Sequence, residues 1–66
     1  MRIILNGKDK AIGNNVSLAE IIKESYQTSK YVIAELNGRI VKSHQWHEVM
    51  LSEGDVLELV TIVGGG

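Results

Sequence analysis

The terminal carboxylate of Gly66 is the group in this chain that is best placed to carry out chemistry, and two further glycines, Gly64 and Gly65, precede it. They follow directly on an apolar stretch, residues 56–63. A folded domain gains little from terminal glycines, because glycine packs no side chain and loses the most backbone entropy when it is ordered. A tail without Cβ atoms can instead extend fully into a narrow active site of another protein. We therefore interpret Gly66 as the attachment point of a transferred group, and Gly64 and Gly65 as the segment that gives the tail reach and clearance.

Two less specific interpretations of the same tail stay open. Chain termini are often disordered without any function. Glycine-rich segments are also common remnants of cloning. The tail by itself does not decide between these interpretations and a transfer function.

The absence of cysteine narrows the chemistry further. It rules out disulfide bonds, thiolate metal ligands and a cysteine nucleophile on this chain. A covalently carried group would therefore be bound to a lysine, a serine or the terminal carboxylate. Ser17 is followed three residues later by Glu20, which is the spacing of a capping box. We predict that this serine caps a helix and is not a nucleophile.

His44 and His47 stand three residues apart, a spacing that allows two imidazoles to share a metal ion. Zinc sites usually need three or four ligands, and no acidic residue has the spacing of a metal motif here. We predict no metal site and expect both histidines on the surface. Trp46 is expected in the core, since large aromatic side chains are mostly buried, with a docking anchor as the alternative.

Composition predicts one small globular domain over residues 1–66, with a flexible glycine tail at 64–66. The apolar fraction of 44% argues against intrinsic disorder. The net charge of −1 comes from scattered residues, whereas a nucleic-acid binder shows a clustered basic surface. We find no apolar run long enough for a bilayer and no leader pattern, so we expect a cytoplasmic protein without a membrane partner. A chain this short leaves little room for an enzyme's buried pocket.

Local patterns predict two hairpins around one helix. Asn6-Gly7 and Asn37-Gly38 are dipeptides that two-residue type I′ turns prefer, because both central positions need a positive φ. The predicted elements are strands at residues 2–5 and 8–12, a helix from 18 to about 26 with its exit at 27–30, strands at 31–36 and 39–41, an irregular crossing at 42–51, and a last strand at 56–62.

One helix can cover only one face of a sheet. Leu18, Ile21 and Ile22 share a face of the predicted helix, so we expect an α+β fold in which this face packs on a mixed sheet of about five strands. The last strand is expected inside the sheet beside the first, because its neighbouring apolar residues suggest burial on both faces. The other face of the sheet would be partly open, which suits docking onto another protein.

The chain resembles the sulfur-carrier family of thiamine biosynthesis, ThiS, within the ubiquitin-like β-grasp superfamily. The resemblance covers the whole length. Singly its motifs are common in hairpins, but their order in a short chain that ends in glycines is specific. The residues that carry it are Ile3-Ile4-Leu5 with Asn6-Gly7, the segment AELNGRIV at 34–41, Trp46, Leu51 with Glu53-Gly54-Asp55-Val56, and VGGG at 63–66.

The resemblance implies a β-grasp fold and a chemistry centred on Gly66. In the family, an E1-like adenylyltransferase (ThiF-like) uses Mg-ATP to join AMP to the terminal carboxylate. A sulfur donor such as a cysteine desulfurase displaces AMP and leaves a thiocarboxylate, and a thiazole synthase (ThiG-like) takes up the sulfur. The implied role is a protein cosubstrate without catalytic activity of its own. AMP and sulfur would be bound to Gly66 only transiently, while ATP and Mg²⁺ would belong to the partner.

Other functions remain open at this stage. A molybdopterin sulfur carrier shares the fold and the Gly-Gly end but usually has a longer chain. A ubiquitin-like modifier would use the same adenylate to form isopeptide bonds with lysines, and a plain interaction module would have an inert tail. For a carrier, we expect Val60, Ile62 and Val63 to dock on the partner, because their apolar side chains continue to the point where the chain leaves the fold.

Overall fold

The computed structural model describes residues 1–26 and 31–62, and in them one helix packs on a five-stranded mixed sheet. The strands are β1 (Arg2–Leu5), β2 (Lys8–Ala11), β3 (Val32–Leu36), β4 (Arg39–Val41) and β5 (Val56–Thr61). The helix α1 spans Leu18–Ser25, and a short 3₁₀ turn spans Ser43–Gln45. The strands lie in the order β2-β1-β5-β3-β4. This arrangement confirms the predicted α+β architecture.

Both hairpins form at the predicted dipeptides. Asn6 and Gly7 have φ values of 50° and 81°, and Asn37 and Gly38 have values of 52° and 84°. These are the left-handed conformations that a type I′ turn requires at its two central positions. Strands β2, β3 and β5 are each one residue shorter than predicted, since assigned strand ends vary by about a residue.

Strand β5 lies at the centre of the sheet, as predicted, parallel to β1 and antiparallel to β3. The expectation that β5 would be buried on both faces is wrong. Leu57 and Leu59 are buried against the helix side, whereas Val56 and Val60 alternate with them and are exposed. The reason is that the single helix covers one face of the sheet and side chains of a strand alternate between faces.

Helix α1 begins at the predicted capping box. Ser17 Oγ accepts a hydrogen bond from the backbone N–H of Glu20 at 3.2 Å, and Glu20 Oε2 accepts one from the N–H of Ser17 at 2.7 Å. These two bonds satisfy donors that the first helical turn would otherwise leave unpaired. Leu18, Ile21 and Ile22 are buried, which confirms the predicted helix face. The remaining core residues are Ile3, Val32, Ala34, Trp46, Leu51, Leu57 and Leu59.

The crossing between β4 and β5 packs against the start of α1. The N–H of Leu18 donates to Val49 O at 2.8 Å, and the N–H of Ala19 donates to Trp46 O at 3.1 Å. Trp46 is 7% exposed and its indole N–H donates to Val41 O at 2.8 Å, so its predicted core position is confirmed. The predicted helix exit, residues 27–30, lies outside the described residues. In the described ranges, the structure has no helix long and apolar enough to span a membrane.

Candidate functional site

The structure follows the last strand almost to the tail. The N–H of Ile62 donates to Tyr31 O at 2.9 Å, so the sheet holds the backbone one residue beyond the end of β5. Four residues, 63–66, then separate Ile62 from the terminal carboxylate. A fully extended chain spans at most about 3.3–3.6 Å per residue, so this length can carry the carboxylate about 14 Å from the sheet. The predicted residues Val63, Gly64, Gly65 and Gly66 themselves lie outside the described residues.

The face of the sheet opposite the helix is apolar and open along β5. We call it the outer face, and it comprises Ile4, Ile33, Glu35, Ile40, Val56, Glu58, Val60 and Ile62. All eight side chains are exposed, and Val60 and Ile62 are 56% and 52% exposed. Exposed contiguous apolar surface is uncommon on monomeric proteins and often marks a binding site.

The strand register places these apolar side chains beside one another. Ile33 lies opposite Val60 across β3 and β5, and Ile4 lies opposite Val56 across β1 and β5. Val60 and Ile62 are therefore not isolated exposed residues, because Ile33 lies beside Val60 at the same end of β5. Glu35 and Glu58 separate this apolar group from the Ile4–Val56 pair. The structure brings these two predicted docking residues together, and Val63 is the third member of that prediction.

The helix side of the molecule is polar by comparison. Lys23 and Glu24 are exposed on α1, and Glu24 Oε1 lies 2.8 Å from Lys10 Nζ on β2. An apolar surface docked on this side would remove water from Lys23 and from the Lys10–Glu24 ion pair, which is unfavourable. The outer face exposes more apolar side chains, and it also holds Glu35 and Glu58.

The other chemically interesting side chains have structural roles or lie outside the strands. Ser17 is a helix cap, as predicted. His44 and His47 are both exposed, as predicted, and His47 Nε2 lies 3.7 Å from Glu48 Oε1. Within residues 1–26 and 31–62, no group of three His, Asp or Glu side chains is arranged to hold a metal ion.

The sequence patterns did not single out two features of the sheet. Glu35 and Glu58 lie directly opposite each other on the outer face. Asn6 and Asn37, recognised only as turn residues, also accept hydrogen bonds from backbone N–H groups of β5. Alternation could have placed each glutamate on the outer face, but the opposition of the two depends on a register that only the folded sheet shows.

Comparisons with known proteins agree with this geometry. A family model described as the ThiS family matches residues 3–66. The sulfur carrier protein ThiS of Bacillus subtilis (strain 168) is 41% identical over 63 residues, which cover 94% of this chain and 96% of that protein. A thiazole synthase of Paramagnetospirillum magneticum (strain ATCC 700264 / AMB-1) is 29% identical over 66 residues, which are the whole of this chain and 20% of the synthase.

A solved structure supports the same assignment. The crystal structure of the thiamine biosynthesis protein ThiS from Geobacter metallireducens superposes with a TM-score of 0.84 at 25% identity, and the match covers all of both chains. The five-stranded sheet with one helix is therefore the β-grasp fold that the sequence resemblance implied. Because the family model spans nearly the whole sequence and the Bacillus protein is similar over almost its full length, the chain belongs to the ThiS family.

Proposed function

We propose that this chain is a sulfur carrier whose cargo is bound to Gly66 as a thiocarboxylate. The general role, a sulfur carrier protein of thiamine biosynthesis, follows from membership of the ThiS family. The observation that carries the finer proposal is the continuity of β5 with the tail. Backbone hydrogen bonds hold the central strand in the sheet as far as Ile62. Only four residues follow Ile62, and the last of them bears the terminal carboxylate.

The proposed chemistry solves a problem of reactivity. A carboxylate is a poor electrophile, because its charge is delocalised and oxide is a poor leaving group. An E1-like partner with bound Mg-ATP would let a carboxylate oxygen of Gly66 attack the α-phosphorus, releasing pyrophosphate and forming an acyl-adenylate. Hydrosulfide then attacks the acyl carbon, and AMP leaves with the electron pair of the broken C–O bond. The product is a thiocarboxylate.

The chain's own part in this chemistry is presentation. Gly64 and Gly65 give the tail a thin profile, because neither has a Cβ atom. ATP and Mg²⁺ are proposed to bind to the partner, and AMP and sulfur to stay on Gly66 only between steps. We propose that the chain works in the cytoplasm, where ATP for the adenylation is available. The carrier is a cosubstrate in this scheme and needs no catalytic group of its own.

A thiazole synthase is the proposed acceptor of the sulfur. The support is that one such enzyme, from Paramagnetospirillum magneticum, contains a segment similar to this entire chain. A carrier-like segment within a synthase fits a working partnership between the two. The E1-like adenylyltransferase and the sulfur donor are the further partners that the chemistry requires. If the donor is a cysteine desulfurase, its persulfide first forms an acyl disulfide, and a thiol must then reduce the S–S bond to release the thiocarboxylate.

The outer face and the end of β5 are the proposed contact with the activating enzyme. Val60 and Ile62 can bury apolar area against the partner while Val63 continues towards the glycines. This placement puts Ile62, the last described residue before the tail, on the partner's side of the molecule. The polar surface of α1 lies on the opposite side of the sheet.

The decisive experiment is intact mass spectrometry of the purified chain after incubation with ATP, Mg²⁺, sulfide and the activating enzyme of the same organism. We expect one terminal oxygen to be exchanged for sulfur, and fragmentation to locate the change at Gly66. A chain that lacks Gly65 and Gly66 is the matched control and should stay unmodified. Sulfur on any other residue would refute the mechanism, and adducts with lysines of other proteins would identify a modifier instead.

A further inference from the structure

The two hairpin turns carry the same Asn-Gly dipeptide but hold its asparagine side chain differently. Asn6 Oδ1 accepts a hydrogen bond from the N–H of Leu59 at 2.8 Å. Asn37 Oδ1 accepts one from the N–H of Val56 at 2.8 Å, and its Nδ2 also donates to Asp55 Oδ1 at 2.9 Å. Across residues 1–26 and 31–62, Nδ2 of Asn6 has no such acceptor. The β3–β4 turn therefore uses both ends of its amide, whereas the β1–β2 turn uses only the oxygen.

Asp55 makes this difference important for any change at position 37. Its Oδ1 faces the Asn37 amide, and its Oδ2 accepts from the N–H of Ser52 at 2.7 Å. The Asp55 residue is half-buried, and no cation in the described ranges forms an ion pair with it. A carboxylate oxygen in the place of the Asn37 NH₂ group would meet a negative charge with no proton between the two, which is unfavourable.

An asparagine that precedes a glycine can lose its amide without an enzyme. The glycine nitrogen gives up its proton to base and attacks Cγ of the asparagine. The NH₂ group leaves as ammonia, taking the electron pair of the C–N bond and a proton from water, and a succinimide ring remains. A second water opens the ring at either carbonyl, which gives aspartate or isoaspartate. At Gly7 and Gly38 no atom lies within 4 Å of where a Cβ would stand, so both turns leave the glycine side open.

We propose that Asn37 is a deamidation site whose modification releases the β3–β4 turn from the start of β5, whereas the aspartate form of Asn6 keeps its turn intact. The group that leaves Asn37 is the one that donates to Asp55, and the product sets two carboxylates against each other. At Asn6 an aspartate still offers the oxygen that Leu59 needs. Aspartate also tolerates the positive φ of both positions.

The hydrogen bonds of the folded turn slow this reaction and make its result permanent. Ring closure takes the Asn37 amide away from Val56 and Asp55, so it requires a local opening of the turn. Once ammonia has left, the donor to Asp55 cannot return. Asn37 holds Val56, the first residue of β5, at the end of the strand away from Ile62. Deamidation should therefore shorten the life of the folded chain without changing the tail itself.

The first experiment makes the aspartate forms by substitution and compares their melting temperatures. Asn37→Asp should lower the melting temperature by about 4–8 °C, because it replaces a hydrogen bond by a contact between two carboxylates. Asn6→Asp is the matched control and should change it by about 2 °C or less. Asn37→Asp combined with Asp55→Asn returns one donor to the contact, so most of the loss should be recovered relative to Asp55→Asn alone.

Two results of this experiment would overturn the inference. One is an equal change of melting temperature in Asn37→Asp and Asn6→Asp, since the two turns would then be equivalent. The other is a double variant that recovers nothing, because the loss at position 37 would then not come from the contact with Asp55. Circular dichroism confirms that each variant folds before its melting temperature is compared.

The second experiment follows the reaction itself in the wild-type chain. The purified chain is kept in mildly alkaline buffer with and without urea, and peptide mapping by mass spectrometry measures deamidation at Asn6 and Asn37. Urea should speed the reaction at Asn37 at least about tenfold, because unfolding removes the protecting bonds. The fraction modified to aspartate at Asn37 should melt at a lower temperature than the unmodified chain, whereas the fraction modified to aspartate at Asn6 should not.

Asp55→Ala provides the matched test of protection in the folded chain. It removes the acceptor of the Asn37 amide, so deamidation at Asn37 should become about threefold to tenfold faster while the rate at Asn6 stays the same. If the rate at Asn37 is the same in wild type and Asp55→Ala, or if both sites speed up equally, the contact with Asp55 does not protect the amide and the inference is wrong.

Discussion

The side-chain oxygen of Asn6 accepts a hydrogen bond from the backbone N–H of Leu59 at 2.8 Å, across 53 positions of sequence. The backbone N–H of Asn6 also donates to Leu57 O at 2.9 Å. One turn residue therefore extends the parallel pairing of β1 with β5 beyond the end of β1. Asn37 does the same on the other side, because its Oδ1 accepts from the N–H of Val56 at 2.8 Å. Both hairpin turns thus support the strand that leads to the tail.

This relationship predicts a separable side-chain contribution at Asn6. Glycine keeps the positive φ of this position but removes the acceptor, so Asn6→Gly should lower the free energy of unfolding by about 1–2 kcal/mol. Asn6→Ala should lower it by about 1 kcal/mol more, because alanine is strained in the left-handed region. Urea denaturation measures both variants. Asn14→Gly, in an exposed loop, is the control and should change stability by less than about 0.5 kcal/mol. Equal stability of wild type and Asn6→Gly would show that the bond to Leu59 is unimportant.

The tail should be separable from the fold. Deletion of Gly65 and Gly66 should abolish adenylation and leave the melting temperature almost unchanged, since glycine has no side chain to bury. Adenylation is measured as the pyrophosphate released in the presence of the activating enzyme. Stability is measured by thermal unfolding. A large loss of stability would show that the tail has a structural role, and the carrier proposal would lose its main support.

The docking face can be tested by two charge substitutions. Ile62→Glu places a charge at the end of the outer face and should weaken binding to the activating enzyme by about 2 kcal/mol or more. Lys23→Glu on α1 should cost about 1 kcal/mol at most, because exposed charges contribute little. Binding is measured by calorimetry, and circular dichroism confirms that both variants fold. A larger effect of Lys23→Glu would assign docking to the helix instead.

Trp46 should matter for stability and not for docking. Trp46→Phe leaves the carbonyl of Val41 without its donor, so we expect a loss of about 1–3 kcal/mol in the free energy of unfolding. Met50→Ala, an exposed change in the same crossing, should alter it by about 0.5 kcal/mol or less. Affinity for the activating enzyme should be unchanged in a folded Trp46→Phe chain. A selective loss of affinity would restore the alternative of an aromatic docking anchor.

The two histidines should be dispensable for activation. His44→Ala combined with His47→Ala should leave adenylation by the activating enzyme intact. Both side chains are exposed, and in the described part of the chain they belong to no group of three side chains that could bind a metal ion. Metal analysis of the purified wild-type chain accompanies the assay. Stoichiometric zinc that disappears in the double variant would show that a metal site had been missed.

The sequence by itself determined the features that depend on neighbours along the chain. The Asn-Gly dipeptides specify their turns because few residues accept a positive φ. Ser17 and Glu20 specify the start of α1 because their reciprocal hydrogen bonds close within one helical turn. The predicted helix face was correct for the same reason, since the spacing of Leu18, Ile21 and Ile22 places them on one side of any helix. The glycine tail was also visible in the sequence, and its role stays a prediction.

Only the tertiary structure decided the features that join distant parts of the chain. The apolar content of β5 led to a wrong prediction of burial on both faces, because composition does not say how many layers cover a sheet. The opposition of Glu35 and Glu58 follows from the pairing register of β3 with β5, and a shift of one residue would have moved every side chain to the other face. The bond from Trp46 to Val41 likewise needs the irregular crossing to pack on the core. Such contacts form only when the whole sheet and helix assemble, so no local pattern encodes them.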